Sequence, residues 1–349
     1  MAKIVIIGAG AMGSAFALPC LDNNHDINIV GTHLENDFID QLKKKNNLHP
    51  GLNTKIPQEI KIFKIDKFDE ILKSNVDLIV LGISSKGIEW VADQLSRLYK
   101  DENIPKLLML TKGLSIHNNQ YELLVDKLER LLADRGIKNA DISAVGGPCL
   151  AAGLANRVHT SVVFANANIK SAQTIASLVS TNYYHVFISS DVIGVEICAA
   201  IKNIYSMIVG ASEGLCGQNS KEISNNKNFL NTAASLIQQS INEMTIFVEK
   251  AKGKKETVMG LAGIGDLYVS ADGGRNSKMG YYLGQGMSFV DAKNQKMKED
   301  TVEGADLIME IGSKVKKDYS HKELPLMISM IDTICNSKPL NVEWKNFKL

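Results

Sequence analysis

Lys3-Ile-Val-Ile-Ile-Gly8-Ala-Gly10-Ala-Met12-Gly13 is the stretch that decides the fold. A β-branched run enters three glycines at GxGxxG spacing and leaves into an apolar stretch of helical character, so strand, tight turn and helix follow without a linker. Gly8 allows the turn, Gly10 lets a pyrophosphate approach the backbone, and Gly13 lets the helix pack closely on its strand. The unpaired N–H groups and positive dipole end of that helix suit the phosphates. In isolation the pattern is weak evidence, but directly behind a strand it points to a dinucleotide-binding βαβ unit. The same glycines interrupt the apolar run that could imitate a secretory signal, and Pro19 stands where a cleavage site needs a small residue.

Working outward, apolar runs at Lys3–Gly8, Asp26–Gly31, Asp77–Gly82, Lys106–Thr111, Asp141–Gly146 and Thr160–Phe164, with a further one at Tyr184–Ile188, alternate with helical patterns. They are apolar almost throughout, as strands covered on both faces must be. After about Ser190 the segments Asp191–Leu215, Asn228–Ala251 and Thr301–Val315 carry apolar residues at helical spacing, with no clear strands. The expected architecture is α/β: a Rossmann-type parallel sheet domain for the dinucleotide over 1–190, followed by an all-helical C-terminal domain for substrate and catalysis over 191–349. No Pro-, Gly- or Ser-rich linker separates the halves, so an active site in a cleft where they meet is expected. Ser220–Asn228 reads as an exposed polar loop.

Composition narrows the partners. The 349 residues suffice for two domains, and 39 basic residues against 38 acidic argue against a general nucleic-acid or membrane-surface binder. The five cysteines, Cys20, Cys149, Cys198, Cys216 and Cys335, show no CxxC and no zinc-ligand spacing, which fits reduced thiols in a cytoplasmic protein and no metal site. Cys198 and Cys216 read as small buried hydrophobes. No stretch approaches the roughly 18 unbroken apolar residues of a membrane span.

Two groups of residues carry chemistry. The second strand ends in Gly31-Thr32-His33, where an acid about 20 residues past the glycines selects NAD, or an arginine NADP. Neither stands at that place; Glu35 falls two residues late and His33 is placed to approach the adenosine ribose, so the nucleotide stays open between NAD and NADP. Thr111-Lys112-Gly113 ends a strand at the carboxyl edge where open sheets bind ligands, and Lys202 sits just past Ala199, Ala200 and Ile201 in an apolar helix, where a lysine is rarely buried without purpose.

Thr111-Lys-Gly113, Gly146-Gly-Pro148, Glu196-x-x-Ala-Ala-Ile-Lys202-Asn203, Gly263-Ile-Gly-Asp266-Leu267, Arg275-Asn276 and Val302-Glu303-Gly304 follow one another in an order that resembles the NAD(P)-dependent glycerol-3-phosphate dehydrogenase family, from Lys3 to about Leu326. The resemblance implies hydride exchange between NAD(P)H and dihydroxyacetone phosphate, giving sn-glycerol 3-phosphate reversibly, in a homodimer. Lys202 would be the general acid/base and Lys112 would assist at the same oxygen, because hydride addition creates an alkoxide that must be neutralised as it forms. Repulsion between the two lysines, with desolvation, would lower the pKa of one from the ordinary value near 10.4, and Asp266 would orient the ammonium. Arg275 and the amide of Asn276 would take the substrate phosphate. Asn203, Gly147, Cys149 and Gly274 would line the substrate, and Ala11, Met12, Ala151, Thr301 and Glu303 the cofactor, with Lys112 and Arg275 serving both.

Departures from the family pattern lie in the same shell. Cys149 and Leu150 replace a serine and a phenylalanine after Pro148, Gly274 replaces the serine before Arg275, and Gln238-Gln239 stand where an arginine is common. A nucleophilic role for Cys149 is disfavoured, since no histidine base adjoins it and alcohol oxidation needs no covalent intermediate. Two rival readings remain: a dehydrogenase of the same plan acting on another phosphorylated polyol or a β-hydroxy acid, and a nucleotide-binding protein without turnover.

Overall fold

The computed structural model describes residues 1–100, 103–217 and 229–347. Its strands are β1 (Lys3–Ile7), β2 (Asp26–Val30), β3 (Leu48–His49), β4 (Thr54–Lys55), β5 (Lys61–Phe63), β6 (Leu78–Leu81), β7 (Lys106–Met109), β8 (Leu114–His117), β9 (Gln120–Leu123), β10 (Ile142–Gly146), β11 (Thr160–Ala165) and β12 (Tyr184–Ser189). By contacts the chain forms two units: Met1–Lys112 with Leu123–Val192, and Gly113–Glu122 with Ile193–Leu349. A single cut near residue 190 therefore misses one excursion, Gly113–Glu122, which belongs to the second unit.

In the first unit eight strands form one sheet in the order β12-β11-β10-β7-β6-β1-β2-β5. Successive residues of β1 face opposite sides, Ile4 and Ile6 into one apolar cluster and Val5 and Ile7 into the other. That is why the run has no polar alternation: both faces are covered. Helices α1 (Ala11–Asp22), α2 (Asn36–Lys44), α3 (Phe68–Leu72), α4 (Ile88–Leu98), α5 (Leu124–Asp134), α6 (Ala151–Ala155) and α7 (Ile169–Val179) flank it. On α4, Ile88, Val91, Ala92 and Leu95 recur at helical spacing and are fully buried. Because β1 pairs with β2 on one side and β6 on the other, strand order reverses at the carboxyl end of β1, the place where open sheets bind ligands.

The sheet is parallel except at one pair: β11 runs antiparallel to β10. The expected all-parallel sheet is corrected there. α6 has five residues, about 7.5 Å of rise, against about 17 Å for the five-residue β10, so it cannot carry the chain back to the other end of the sheet. The short edge strand β5 was not expected, and neither was the β3–β4 hairpin.

The second unit carries α8 (Val192–Gly217), α9 (Phe229–Lys250), α10 (Lys255–Val258), α11 (Asp266–Ala271), α12 (Arg275–Gly284), α13 (Phe289–Lys296), α14 (Glu303–Asp318) and α15 (Pro325–Cys335). It is helical apart from the β8–β9 hairpin, which turns on Asn118 and Asn119, both at positive φ, and packs on α14. Tyr121 of that hairpin meets Phe247 with ring centroids 5.1 Å apart, and Lys314 Nζ lies 5.0 Å from the Tyr121 centroid. α8 is the one described helix long and apolar enough to cross a membrane by length and composition, and 89% of that window is buried inside the protein, as in a core helix. The segment Ser220–Asn228 lies outside the described residues.

Candidate active site

In the first unit the glycine loop has the shape its spacing demands. Gly8 takes φ +106°, and a Cβ on Gly13 would sit 2.5 Å from Gly8 O, so neither position admits a side chain. A Cβ on Gly10 would meet nothing within 4 Å, which leaves open space at the start of α1. Gly10 is the N-cap and supplies no side-chain cap, so the first N–H groups of the helix keep their capacity for an anion. These features fit a dinucleotide pyrophosphate.

Ala9 is held from both sides. Its N–H donates to Glu35 Oε1 at 3.0 Å, and Thr32 N–H donates to Glu35 Oε2 at 2.7 Å. Its carbonyl accepts from Ser14 Oγ at 3.0 Å and pairs with His49 Nε2 at 3.2 Å. Gly51 N–H donates to His49 Nδ1 at 3.1 Å, so Nδ1 is the acceptor and Nε2 carries the proton. Burial holds the His49 imidazole below its usual pKa and so in this neutral form. Sequence reasoning set Glu35 aside for lying two residues late and missed His49; the fold returns both to the glycine loop.

The other expected residues of this unit lie around the carboxyl edge. His33 is exposed, its ring centroid 5.3 Å from that of Trp90. Thr111 Oγ1 donates to Ile83 O at 2.8 Å and anchors the segment that ends in half-buried Lys112. Gly147, at φ +112°, is buried, and a Cβ there would come 3.1 Å from Val162 Cα. Ala11, Met12, Cys149 and Ala151 are partly buried against the apolar cluster, while Leu150 is exposed.

In the second unit Lys202 is buried at the middle of α8, and its ammonium donates to Asp266 Oδ1 and, at 2.8 Å, to Ser270 Oγ. Asp266 and Ser270 are i and i+4 on α11 and so share a face. Just ahead, Gly265 N–H reaches back to Gly260 O at 3.2 Å, an i→i−5 bond that widens the turn and re-aims α11. A Cβ on Gly263 would lie 2.0 Å from Val258 O, so only glycine lets this wide turn press on α10. Ser270 was not anticipated; its i+4 spacing from Asp266 on a helix was the available signal.

The next turn brings in the phosphate candidates. Gly273 takes φ +77°, and Gly274 is the N-cap of α12 without a side chain to cap it. Arg275 Nη2 lies 3.1 Å from Glu303 Oε1, both side chains about half exposed. Asn203 Nδ2 approaches Glu303 Oε2 at 3.4 Å. The Asn276 side chain is buried, with Nδ2 donating to Asn203 Oδ1 at 3.1 Å and Oδ1 accepting from Gly304 N–H at 2.9 Å. Thr301 is exposed just before α14. The five cysteines form no disulfide; Cys198 is buried, but Cys216 is only half-buried, with Sγ 3.5 Å from Thr232 Oγ1, because it lies near the end of α8. Among the described residues no group of three or more His, Cys, Asp or Glu could hold a metal.

Family models described as the N-terminus and the C-terminus of NAD-dependent glycerol-3-phosphate dehydrogenase match residues 3–172 and 191–344. An NADP(+)-dependent glycerol-3-phosphate dehydrogenase of Archaeoglobus fulgidus is 32% identical over 320 residues, covering 90% of this chain and 91% of that protein. A glycerol-3-phosphate dehydrogenase (NAD(P)+) of Clostridium tetani is 28% identical over 330 residues, covering 94% and 84%. Among solved structures, glycerol-3-phosphate dehydrogenase of Coxiella burnetii shares the fold with a TM-score of 0.80 at 24% identity, covering 97% of this chain and 96% of that one.

Proposed function

The chain belongs to the NAD-dependent glycerol-3-phosphate dehydrogenase family, and from that premise we propose that it interconverts dihydroxyacetone phosphate and sn-glycerol 3-phosphate, with Lys202 as general acid and base. It is an oxidoreductase that uses NAD or NADP. The observation that carries the reading is the buried ammonium of Lys202, which shares α8 with Asn203 and is gripped by Asp266 and Ser270 of α11.

When bound, the nicotinamide supplies the hydride that reduces the ketone carbon. The glycine loop, braced by Glu35 and His49, holds the pyrophosphate end. Lys202 gives its proton to the ketone oxygen as negative charge develops there, and recovers it from the hydroxyl in the reverse direction. Asp266 and Ser270 keep the ammonium in one orientation. Lys112 is the second cation assigned to the ketone oxygen.

The start of α12, with the Arg275 guanidinium and main-chain N–H groups that have no intrahelical partner, is assigned to the substrate phosphate. Arg275 can leave Glu303 at little cost, because a half-exposed ion pair contributes only ~0–1 kcal/mol. Glu303 is assigned to the nicotinamide end. Gly147, Cys149 and Gly274 are assigned to the substrate and Ala11, Met12, His33, Ala151 and Thr301 to the cofactor. The reading extends to a homodimer in the cytoplasm.

The test follows NADH and NADPH oxidation separately with dihydroxyacetone phosphate and with larger phosphorylated ketoses. Turnover with dihydroxyacetone phosphate is expected, and Lys202→Ala should lower kcat by at least ~10²-fold while leaving cofactor affinity within a few-fold. An inert wild-type chain, or an active variant, would sink the assignment.

A further inference from the structure

We infer that the β3–β4 hairpin is part of the dinucleotide site, and that His49 is the positioning residue that couples it to the glycine loop, so that cofactor binding and docking of the hairpin favour each other. The inference rests on the assignment of that loop to the dinucleotide.

The hairpin has little of its own to hold it in place. Its ladder pairs only Leu48 with Lys55 and His49 with Thr54, and an isolated two-stranded hairpin is marginal at best in water. Its position is set by what it meets. Leu52 and Ile56 enter the apolar cluster that also takes Ile4, Ile6 and Phe16, and His49, 2% exposed, reaches the glycine loop. Phe38 of α2 packs edge-on against the imidazole, with ring centroids 5.2 Å apart. A Cβ on Gly51 would lie 3.5 Å from Ala11 Cβ, so the turn of the hairpin rests against the first residue of α1.

The polarity of the imidazole is decided by groups that cannot reverse. Gly51 N–H can only donate and the Ala9 carbonyl can only accept, so the ring spans them with Nδ1 as acceptor at 3.1 Å and Nε2 as donor at 3.2 Å. Each ring nitrogen has one in-plane position, and both are thereby filled. On the hairpin side, Leu52 and Asn53 N–H groups donate to His49 O at 3.2 and 2.9 Å, which ties the turn to the residue that bears the ring. On the loop side, the Ala9 oxygen has two lone pairs, one for His49 and one for Ser14 Oγ at 3.0 Å, while the Ala9 N–H goes to Glu35.

The peptide group joining Ala9 to Gly10 is planar, so fixing its oxygen also fixes the direction of the Gly10 N–H. Gly10 O in turn accepts from Ser14 N–H at 2.9 Å and starts α1. His49 therefore sets the peptide plane from which the helix start is presented to the pyrophosphate. A loop held in its binding geometry before the ligand arrives binds more tightly, because the ligand need not order it. Such coupling is reciprocal: where the docked hairpin raises cofactor affinity, bound cofactor stabilises the docked hairpin by the same factor.

Fluorescence titration of NADH and NADPH against the wild type, His49→Asn and His49→Gln tests this. The asparagine oxygen keeps an acceptor for Gly51 N–H, but its amide is too short to reach Ala9 O; the glutamine nitrogen extends as far as Nε2 and restores that donor. His49→Asn is expected to raise the cofactor Kd about 3- to 10-fold, the loss of one hydrogen bond, and His49→Gln to stay within about 2-fold of the wild type. For both variants kcat at saturating cofactor should change less than about 2-fold. An unchanged Kd in His49→Asn, or equal weakening in both variants, overturns the inference. Should His49→Asn not fold, His49→Leu takes its place, since it fills the space without a donor. Amide hydrogen exchange reads the coupling from the other end: NADH should slow exchange at Gly51, Leu52 and Asn53 in the wild type but not in His49→Asn. Equal slowing in both proteins, or none in the wild type, overturns the coupling. A wild-type chain that binds neither nucleotide defeats the dinucleotide assignment and the inference together, whereas binding indifferent to His49 defeats the inference alone.

Discussion

At the scale of single residues, two ion pairs of this chain call for opposite expectations. Lys202 and Asp266 meet where both side chains are nearly sealed from solvent, 9% and 2% exposed. Removing one partner of a buried ion pair typically costs about 3–5 kcal/mol. Asp266→Asn should therefore lower both the melting temperature and kcat, as read by calorimetry and a steady-state assay; an unchanged melting temperature would contradict the buried pair. Arg275 and Glu303 are each 53% exposed, and such pairs contribute ~0–1 kcal/mol. Arg275→Ala should leave the melt nearly unmoved and act on KM for the phosphorylated substrate, because the guanidinium is assigned to the phosphate. If KM for substrate and cofactor both stay unchanged, that assignment is wrong.

At the scale of elements, glycine decides how the catalytic helices meet. A Cβ on Gly280 of α12 would lie 1.7 Å from Met207 O of α8, and one on Gly210 of α8 would lie 2.3 Å from Ser277 O of α12. The backbones are therefore in contact, and this contact sets Arg275 and Asn276 beside Asn203. Gly280→Ala should force α12 off α8, at the cost of ~1–3 kcal/mol usual for overpacking, and should reduce kcat more than an exposed helix substitution such as Lys278→Ala; equal kinetics for the two variants would refute it. This layer explains what could be read in advance. The glycine loop was legible because each of its glycines answers a backbone need that spacing alone expresses. Lys202 and Asp266 were legible from motifs and Ser270 left a signal in its i+4 spacing from Asp266, but the hydrogen bonds of Asn276 and the Glu35 brace were not legible, since each depends on a partner supplied by another segment. The β8–β9 hairpin did carry a signal, Asn118-Asn119 between short alternating runs. β5 carried almost none, being three residues long.

At the scale of the whole molecule, His49 of the first unit and Glu243 of the second are buried titratable groups that pull in opposite directions near neutral pH. In the second unit Glu243 is fully buried and burial raises its pKa from 4.5 to about 7. Donors from Leu326 N–H, Met327 N–H, Gln239 and Tyr205 oppose the rise without cancelling it. A carboxyl whose pKa is higher in the folded state favours folding most below 4.5, and this contribution is lost as pH climbs to about 7, on the order of 3 kcal/mol. In the first unit burial lowers the pKa of His49 from 6.5, so the folded unit refuses a proton that the unfolded chain accepts. Its contribution is complete above 6.5 and shrinks as pH falls below that value. The units should therefore exchange rank: amide hydrogen exchange, corrected for the intrinsic rate, should show α9 and α15 better protected at pH 5.5 than at pH 7.5, and β1 and α1 the reverse. Glu243→Gln should abolish the first trend and leave the second. If both units change in the same sense, the burial of these two groups does not govern the pH response.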